Sequence, residues 1–242
     1  MIVFKDVTKI YKLYKGDRQM IMHMLFRNTK IKEKRALSNV SFVIDKGESV
    51  AFFGKNGAGK STILKMITEV CYPTSGDVTV EGSVSALLGL TAGFDQEFTG
   101  RENIYLKGQI IGMSEKQIKV LEKDIIDFAE IGEAYIDQPI RTYSNGMRAR
   151  LGFAISVNTD PDILIVDEAL SVGDEQFKNK CRVKVAEIMR KEDITFLFVT
   201  HSPETAREFC SRGIVLEQGN IVFDGEIGDA IACYDGMVRV PG

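Results

Sequence analysis

Gly54-Lys55-Asn56-Gly57-Ala58-Gly59-Lys60-Ser61 has the spacing G-x-x-x-x-G-K-[ST]. The chemistry this pattern serves is the binding of a nucleoside triphosphate. Phosphates carry dense negative charge, and backbone N–H groups at a helix N-terminus form a ready host for it. Side chains would block the approach, so the pattern places Gly54, Gly57 and Gly59 where they are absent. Lys60 then reaches the β- and γ-phosphates, and the Ser61 hydroxyl ligates Mg²⁺. The context agrees: the apolar run Val50-Ala51-Phe52-Phe53 precedes the loop, and a helix-like segment from Thr62 to Glu69 follows it.

Two acids have the right neighbours to act on that triphosphate. Ile163-Leu164-Ile165-Val166 leads straight into Asp167-Glu168. Four apolar residues in a row suit a central strand buried on both faces, and an open α/β sheet takes ligands at the carboxyl ends of such strands. Asp167 is assigned to the metal and Glu168 to the general base that polarises the attacking water; the competing reading is an acidic pair on the surface. Tyr143-Ser144-Asn145-Gly146-Met147-Arg148 is a further signal, with Ser144 capping a helix and Gly146 leaving amides open. It reads either as a capped helix alone or as a second anion site. One triphosphate does not need two such sites, so the second reading pairs them across two copies of the chain. His201 follows the strand Thr195–Val199, where its imidazole can meet a γ-phosphate or attacking water, although a lone histidine often does neither.

The elements that must position these residues alternate between strands and helices. Met1–Thr8 reads as an edge strand, and Ala36–Val50 as strand-like alternation with Gly47 as a turn. Gly76–Leu88 holds two short strands around Glu81-Gly82. Thr99-Gly100-Arg101-Glu102 and Ser114-Glu115-Lys116-Gln117 are capping boxes, each opening a helix. A helix near Glu175–Lys191, a strand pair at Ile214–Leu216 and Ile221–Phe223 turning at Gly219-Asn220, and a last helix at Ile227–Val238 complete the α/β pattern. Residues 91–156 read as a helical insertion. Residues 15–35 break the pattern, with seven basic residues against two acids around the apolar stretch Met20–Phe26. Met20 and Met24, and Ile21 and Leu25, have i,i+4 spacing, which fits a short sticky helix with basic flanks or a solvated loop.

The 242 residues suit one large domain, or a domain with an inserted subdomain. With 31 Lys+Arg against 34 Asp+Glu the net charge is −3, which gives no global sign of nucleic-acid binding. The cysteines Cys71, Cys181, Cys210 and Cys233 lie far apart with no C-x-x-C pair, which suits reduced thiols. No apolar run approaches the length of a membrane span and no signal-peptide pattern follows Met1, so a membrane role is expected to act through a partner or surface contact.

Together these residues resemble the nucleotide-binding subunit of ATP-binding cassette (ABC) transporters over essentially the whole chain. The resemblance rests on Gly54–Ser61, the signature Ser144-Asn145-Gly146-Met147, Val166-Asp167-Glu168, the D-loop Ser171–Asp174 and His201. It implies a P-loop NTPase with a RecA-like core and an antiparallel edge sheet (residues 1–90 and 157–242) and an inserted helical subdomain (91–156). It implies ATP and Mg²⁺, with Glu168 and His201 catalytic and Ser61 and Asp167 at the metal. Lys55, Asn56, Ala58 and Thr62 join the glycines, Lys60 and Ser61 around the nucleotide, and Tyr11 stacks on adenine with Tyr14 as the alternative. Ser144, Asn145, Gly146 and Met147 serve the ATP of the other subunit in a homodimer.

Departures from the general pattern narrow the resemblance. The usual Leu-Ser-Gly-Gly-Gln reads Tyr143-Ser144-Asn145-Gly146-Met147, and Ala169-Leu170 replaces Pro-Thr after the glutamate. The glutamine expected near Leu90 is absent, and Gln96 is too close to Glu102 to serve. This set is similar to exporters of cell-surface polysaccharides (teichoic acids, O antigens and capsules), and the Met-rich basic stretch favours the first two. Some O-antigen members add a C-terminal carbohydrate-binding domain, which a chain stopping at Gly242 is expected to lack. The implied partners are two copies of an integral membrane permease that handles the lipid-linked polymer, with this subunit peripheral on the cytoplasmic face and no nucleic acid. The rival expectation, an ABC-type ATPase working on ribosomes or DNA, usually brings two cassettes or a long coiled-coil insertion. A P-loop kinase leaves Ser144 and His201 unexplained.

Overall fold

The computed structural model describes residues 1–16, 31–87, 89–159, 161–166, 173–191, 193–200 and 202–239. The expected helix at Met20–Phe26, and with it Asp167, Glu168, His201 and the first residues of the D-loop, lie outside them. The chain divides into two compact units, residues 1–44, 52–81 and 212–242 in one, residues 45–51 and 82–211 in the other.

The first unit carries a three-stranded antiparallel sheet in the order β2-β1-β4, from β1 (Ile2–Leu13), β2 (Lys32–Ile44) and β4 (Ser75–Val80). Alternation puts Ile2 and Phe4 inward, and Phe4 stacks on Phe42 at 4.5 Å between ring centroids. Both long strands outrun their expected bounds. β1 continues to Leu13, and β2 begins at Lys32, so Lys32–Arg35, expected in the basic insertion, pair with β1 out to Leu13↔Lys32. Their exposed charged side chains hid a strand that pairs with β1 through its backbone.

β3 (Ser49–Phe53) is shared between the units, and α1 (Lys60–Ile67) follows it in the first. The hairpin β8 (Arg212–Glu217) and β9 (Asn220–Glu226) turns at Gln218-Gly219, with φ of 47° and 83°, one residue before the expected turn. Two positive φ values match the twist of a two-residue hairpin. α8 (Ile227–Arg239) closes this unit, burying Ile227, Ala230, Ile231 and Tyr234 along one helical face.

In the second unit β5 (Val84–Ala86), β6 (Ile163–Val166) and β7 (Thr195–Val199) run parallel side by side. β6 and β7 are buried along their whole length, as the uninterrupted apolar runs require. Around them lie α2 (Gly100–Ile110), α3 (Glu115–Ala129), the single-turn α4 (Glu133–Ile136), α5 (Asn145–Val157), α6 (Glu175–Met189) and α7 (Pro203–Phe209). Both capping boxes form: Thr99 and Ser114 accept from the amides of Glu102 and Gln117, whose side chains reach back. Ile104, Ile118, Ile125, Ile140 and Leu151 make a fully buried cluster that joins α2, α3 and α5.

One charge is buried in this helical part. The Lys107 ammonium, 6% exposed, donates to the Leu90 carbonyl oxygen and lies 5.2 Å over the Phe94 ring. Burial pushes it down to about 8. Between pH 8 and 10.5 the unfolded chain therefore binds more protons than the folded one, and stability rises with pH through that window. The gap is worth up to about 3 kcal/mol. Denaturation of wild type and Lys107→Met at pH 7.5 and pH 10 is expected to show wild type gaining on the variant at the higher pH. An equal difference at both would show that burial does not penalise this ammonium.

Candidate functional site: a phosphate loop and a capped signature helix

The phosphate loop bridges β3 and α1 on a floor that excludes side chains. Gly59 has φ of +117°, and a Cβ there would lie 2.7 Å from Leu37 Cδ2 and 2.9 Å from the Ala36 carbonyl oxygen. A Cβ on Gly54 would meet the Leu216 carbonyl oxygen at 2.5 Å. The loop is pinned from below by the Gly219 amide, which donates to the Ala58 carbonyl oxygen at 3.0 Å, and folds on itself through Ala58 N–H to the Lys55 oxygen at 3.0 Å. On its other side Gly57 has open space around it.

α1 opens from Gly59 with no side-chain cap, so its first amides keep the partial positive charge that draws an anion. Lys60, 8% exposed, donates from Nζ to the Gly54 carbonyl oxygen and, at 3.5 Å, to that of Lys55. The ammonium is thereby held over the loop itself. Ser61 is exposed on the first turn, where its hydroxyl is a hard oxygen ligand of the kind Mg²⁺ takes.

Tyr11 is brought to the same place. Its hydroxyl lies 3.8 Å from Cys71 Sγ and contacts Thr62, two residues beyond Lys60, while Lys9 Nζ sits 5.2 Å from the ring centroid. Burial pushes its phenol up, a shift that the Cys71 contact reinforces and the Thr62 contact opposes. Lys55 and Asn56 are exposed, and Ala58 is 5% exposed.

The second helix N-terminus is built differently. Ser144 is the N-cap of α5, accepting at Oγ from the Met147 amide at 3.1 Å. Ser144, Asn145 and Gly146 are exposed, and no acid stands in the first turn to neutralise the helix end. Tyr143, where leucine was expected, is an anchor: 3% exposed, it donates its hydroxyl to the Tyr135 carbonyl oxygen at 2.7 Å, and burial pushes it up to about 12. The phosphate loop and this helix fall in different compact units.

β6 and β7 end together. Their parallel register sets Val166 beside Phe198; in sequence Asp167-Glu168 follow the first strand and Thr200-His201 the second. After position 201, Ser202 opens α7 by accepting from the Thr205 amide, with Pro203 in the first turn.

Known proteins share this chain's sequence and fold. Residues 37–171 match the family described as "ABC transporter". The chain is 43% identical over 236 residues to the O-antigen export system ATP-binding protein RfbB of Klebsiella pneumoniae, covering 95% of this chain and 94% of that one. The chain belongs to the ABC transporter family. It is an ATP-binding subunit and an ATPase. It is also 41% identical over 238 residues to the teichoic acids export ATP-binding protein TagH of Bacillus cereus, spanning 98% of this chain but 43% of that protein's length. The dimeric post-hydrolysis structure of the ATP-binding cassette MJ0796 bound to ADP and Pi shares the fold, with a TM-score of 0.74 at 23% identity over 94% of this chain and 99% of that one.

Within this ABC subunit, Leu90, near which the glutamine was expected, is engaged through its main chain. The Leu90 carbonyl oxygen takes the Lys107 ammonium and packs against α5, where a Cβ on Gly152 would lie 2.0 Å away. Gln96 points at the signature helix, accepting from Arg148 Nη1 at 3.3 Å, while Arg148 also donates to Asn145 Oδ1 at 2.8 Å. Neither partner of Lys107 nor that of Gln96 was expected from sequence, since both contacts arise on folding between distant segments. Among the described residues no helix is long and apolar enough to cross a membrane.

The floor of the phosphate loop makes a comparison of two glycines informative. Gly59→Ala meets Leu37 and Ala36, whereas Gly57→Ala meets open space and bears only the strain of its φ of +84°. Urea denaturation is expected to show Gly59→Ala less stable than Gly57→Ala by about 1–3 kcal/mol. Equal losses would mean that the packed floor does not constrain the loop.

Proposed function

We propose that this chain powers export of a lipid-linked cell-surface polysaccharide, wall teichoic acid or O antigen, across the cytoplasmic membrane. The observation that carries the reading is identity of about 40%, over nearly all of this chain, to ATP-binding proteins named for teichoic-acid and O-antigen export. The Ser144-Asn145-Gly146-Met147 signature and the Asp167-Glu168-Ala169-Leu170 sequence point the same way.

In this reading Gly54–Thr62 hold the phosphates of ATP and Tyr11 stacks on adenine. Ser61 and Asp167 are hard oxygen donors for Mg²⁺, which when bound neutralises charge on the phosphate oxygens. Glu168 takes the proton of the attacking water, and His201 holds the γ-phosphate or that water. Ser144–Met147 serve the ATP of a second copy of the chain, so the ATPase acts as a homodimer beneath two permease subunits, peripheral on the cytoplasmic face. Residues 91–156 are proposed as the helical subdomain. The basic stretch 15–35 contacts the permease or anionic headgroups, where each Lys or Arg contributes about 1 kcal/mol.

The test uses Glu168→Gln in the full exporter. Hydrolysis is expected to slow by roughly 10²–10⁴-fold while ATP affinity is kept. The tagged variant should still retrieve an integral membrane protein from detergent extracts, and cells carrying it should accumulate lipid-linked polymer on the inner face. Normal turnover would mean that another group activates the water. Absence of a membrane partner with normal polymer export would contradict the transport reading and favour an ATPase working on ribosomes or DNA.

A further inference from the structure

We propose that Arg150 is a positioning residue that holds Asp174, six residues after Glu168 in the chain, in step with the helix opened by Ser144. Arg150 lies less than two turns into α5, and its guanidinium is gripped by three residues from two other elements, the end of α3 and the start of α6. Nη2 donates to Asp174 Oδ2 at 2.6 Å, Nη1 donates to Glu130 Oε2 at 3.1 Å, and Cζ sits 4.7 Å over the Phe177 ring. Phe177 is fully buried, so the aromatic platform under the fork is fixed.

Asp174 does two jobs with its two oxygens. Oδ1 accepts from the Phe177 amide at 2.9 Å and so caps α6, while Oδ2 takes Arg150. The Phe177 amide first, with the Arg150 charge and hydrogen bond beside it, holds this carboxyl below the usual carboxylate range. Glu130 is steadied in turn by Lys180, whose Nζ donates to Glu130 Oε1 at 2.8 Å and to the Phe128 carbonyl oxygen at 3.0 Å. Gly173 completes the fit: with φ of +77°, a Cβ there would stand 3.3 Å from Arg150 Nε and 3.1 Å from Phe177 Cβ.

Two anchors therefore bound the stretch 167–172: β6, held in register beside β7 as far as Val166, and Asp174, held by the arginine fork. The second anchor is attached to the helix whose exposed N-terminus carries Ser144. An exposed ion pair contributes little to stability by itself, so what the planar fork supplies is geometry. The fork thus fixes Asp174, six residues after Glu168 in the chain, relative to the helix that Ser144 opens. This rests on the proposed roles of Ser144 and Glu168.

The experiment measures ATPase kinetics and labelled-ATP binding for Arg150→Gln, Asp174→Asn and the double variant in the full chain, beside Ser144→Arg. Asparagine keeps the cap on α6 and removes only the charge that faces Arg150. Each single variant is expected to lower kcat about tenfold with KM and ATP affinity within about twofold. The double variant should be no slower than the slower single, and Arg150→Lys, which keeps the charge without the fork, should recover less than half of the loss. Wild-type kcat in both singles, multiplied losses in the double, or a matching fall in ATP affinity would overturn the proposal. Lost turnover in Ser144→Arg with normal turnover in the Arg150 variants would overturn the positioning role alone. Normal turnover in Ser144→Arg would overturn the reading beneath it and this role together.

Discussion

The close seat of Gly59 on the Ala36 carbonyl and the Leu37 side chain is the constraint on which the nucleotide site depends. It leaves no room for a Cβ, forces a left-handed backbone, and starts α1 without a side-chain cap. Each consequence serves anion binding: uncapped amides point outward, and Lys60 follows at the next residue. The seat is itself built from the β8–β9 turn, because the Gly219 amide holds the Ala58 carbonyl and the Ser38 amide holds the Gly219 carbonyl at 2.8 Å. A hairpin remote in sequence thus sets the height of the phosphate loop.

The N-termini of α1 and α5 solve the same electrostatic problem in opposite ways. At α1 a glycine cap leaves the amides to the ligand, and a lysine supplies charge. At α5 the Ser144 hydroxyl satisfies one amide, so the helix end is stable in its own right and remains exposed with no acid in its first turn. A self-satisfied helix end suits a group that meets its anion only part of the time. An uncapped one suits a site where the phosphates are the cap. That contrast is the physical content of the proposal that one chain binds ATP and another closes over it.

Much of this was legible in the residues. Glycines at fixed spacing announce a backbone requirement, and the four-residue apolar runs before Asp167 and within Thr195–Val199 announce strands buried on both faces. Capping boxes show because both partners lie within one turn. The start of β2 at Lys32 did not show, because its side chains are charged and exposed while its stability comes from pairing with β1. Nor did the Arg150 fork, whose partners Glu130 and Asp174 lie 20 and 24 residues away and converge only when α3, α5 and α6 pack. Leu90 illustrates a third case: its contact with Lys107 is made by the main chain, which no side-chain pattern announces.

The central claim is that each ATP is shared between the phosphate loop of one chain and Ser144 of another. It is tested most directly by mixing two inactive variants, Lys60→Ala and Ser144→Arg, and assaying both hydrolysis and ATP-dependent dimer formation. In the mixed dimer one composite site loses both its lysine and its serine, while the other keeps an intact loop facing an intact signature. The account predicts hydrolysis in the mixture above that of either variant alone, together with an ATP-dependent mixed dimer. A mixture with no more activity than its parts and no ATP-dependent dimer, or a Ser144→Arg chain that hydrolyses ATP fully by itself, would contradict it.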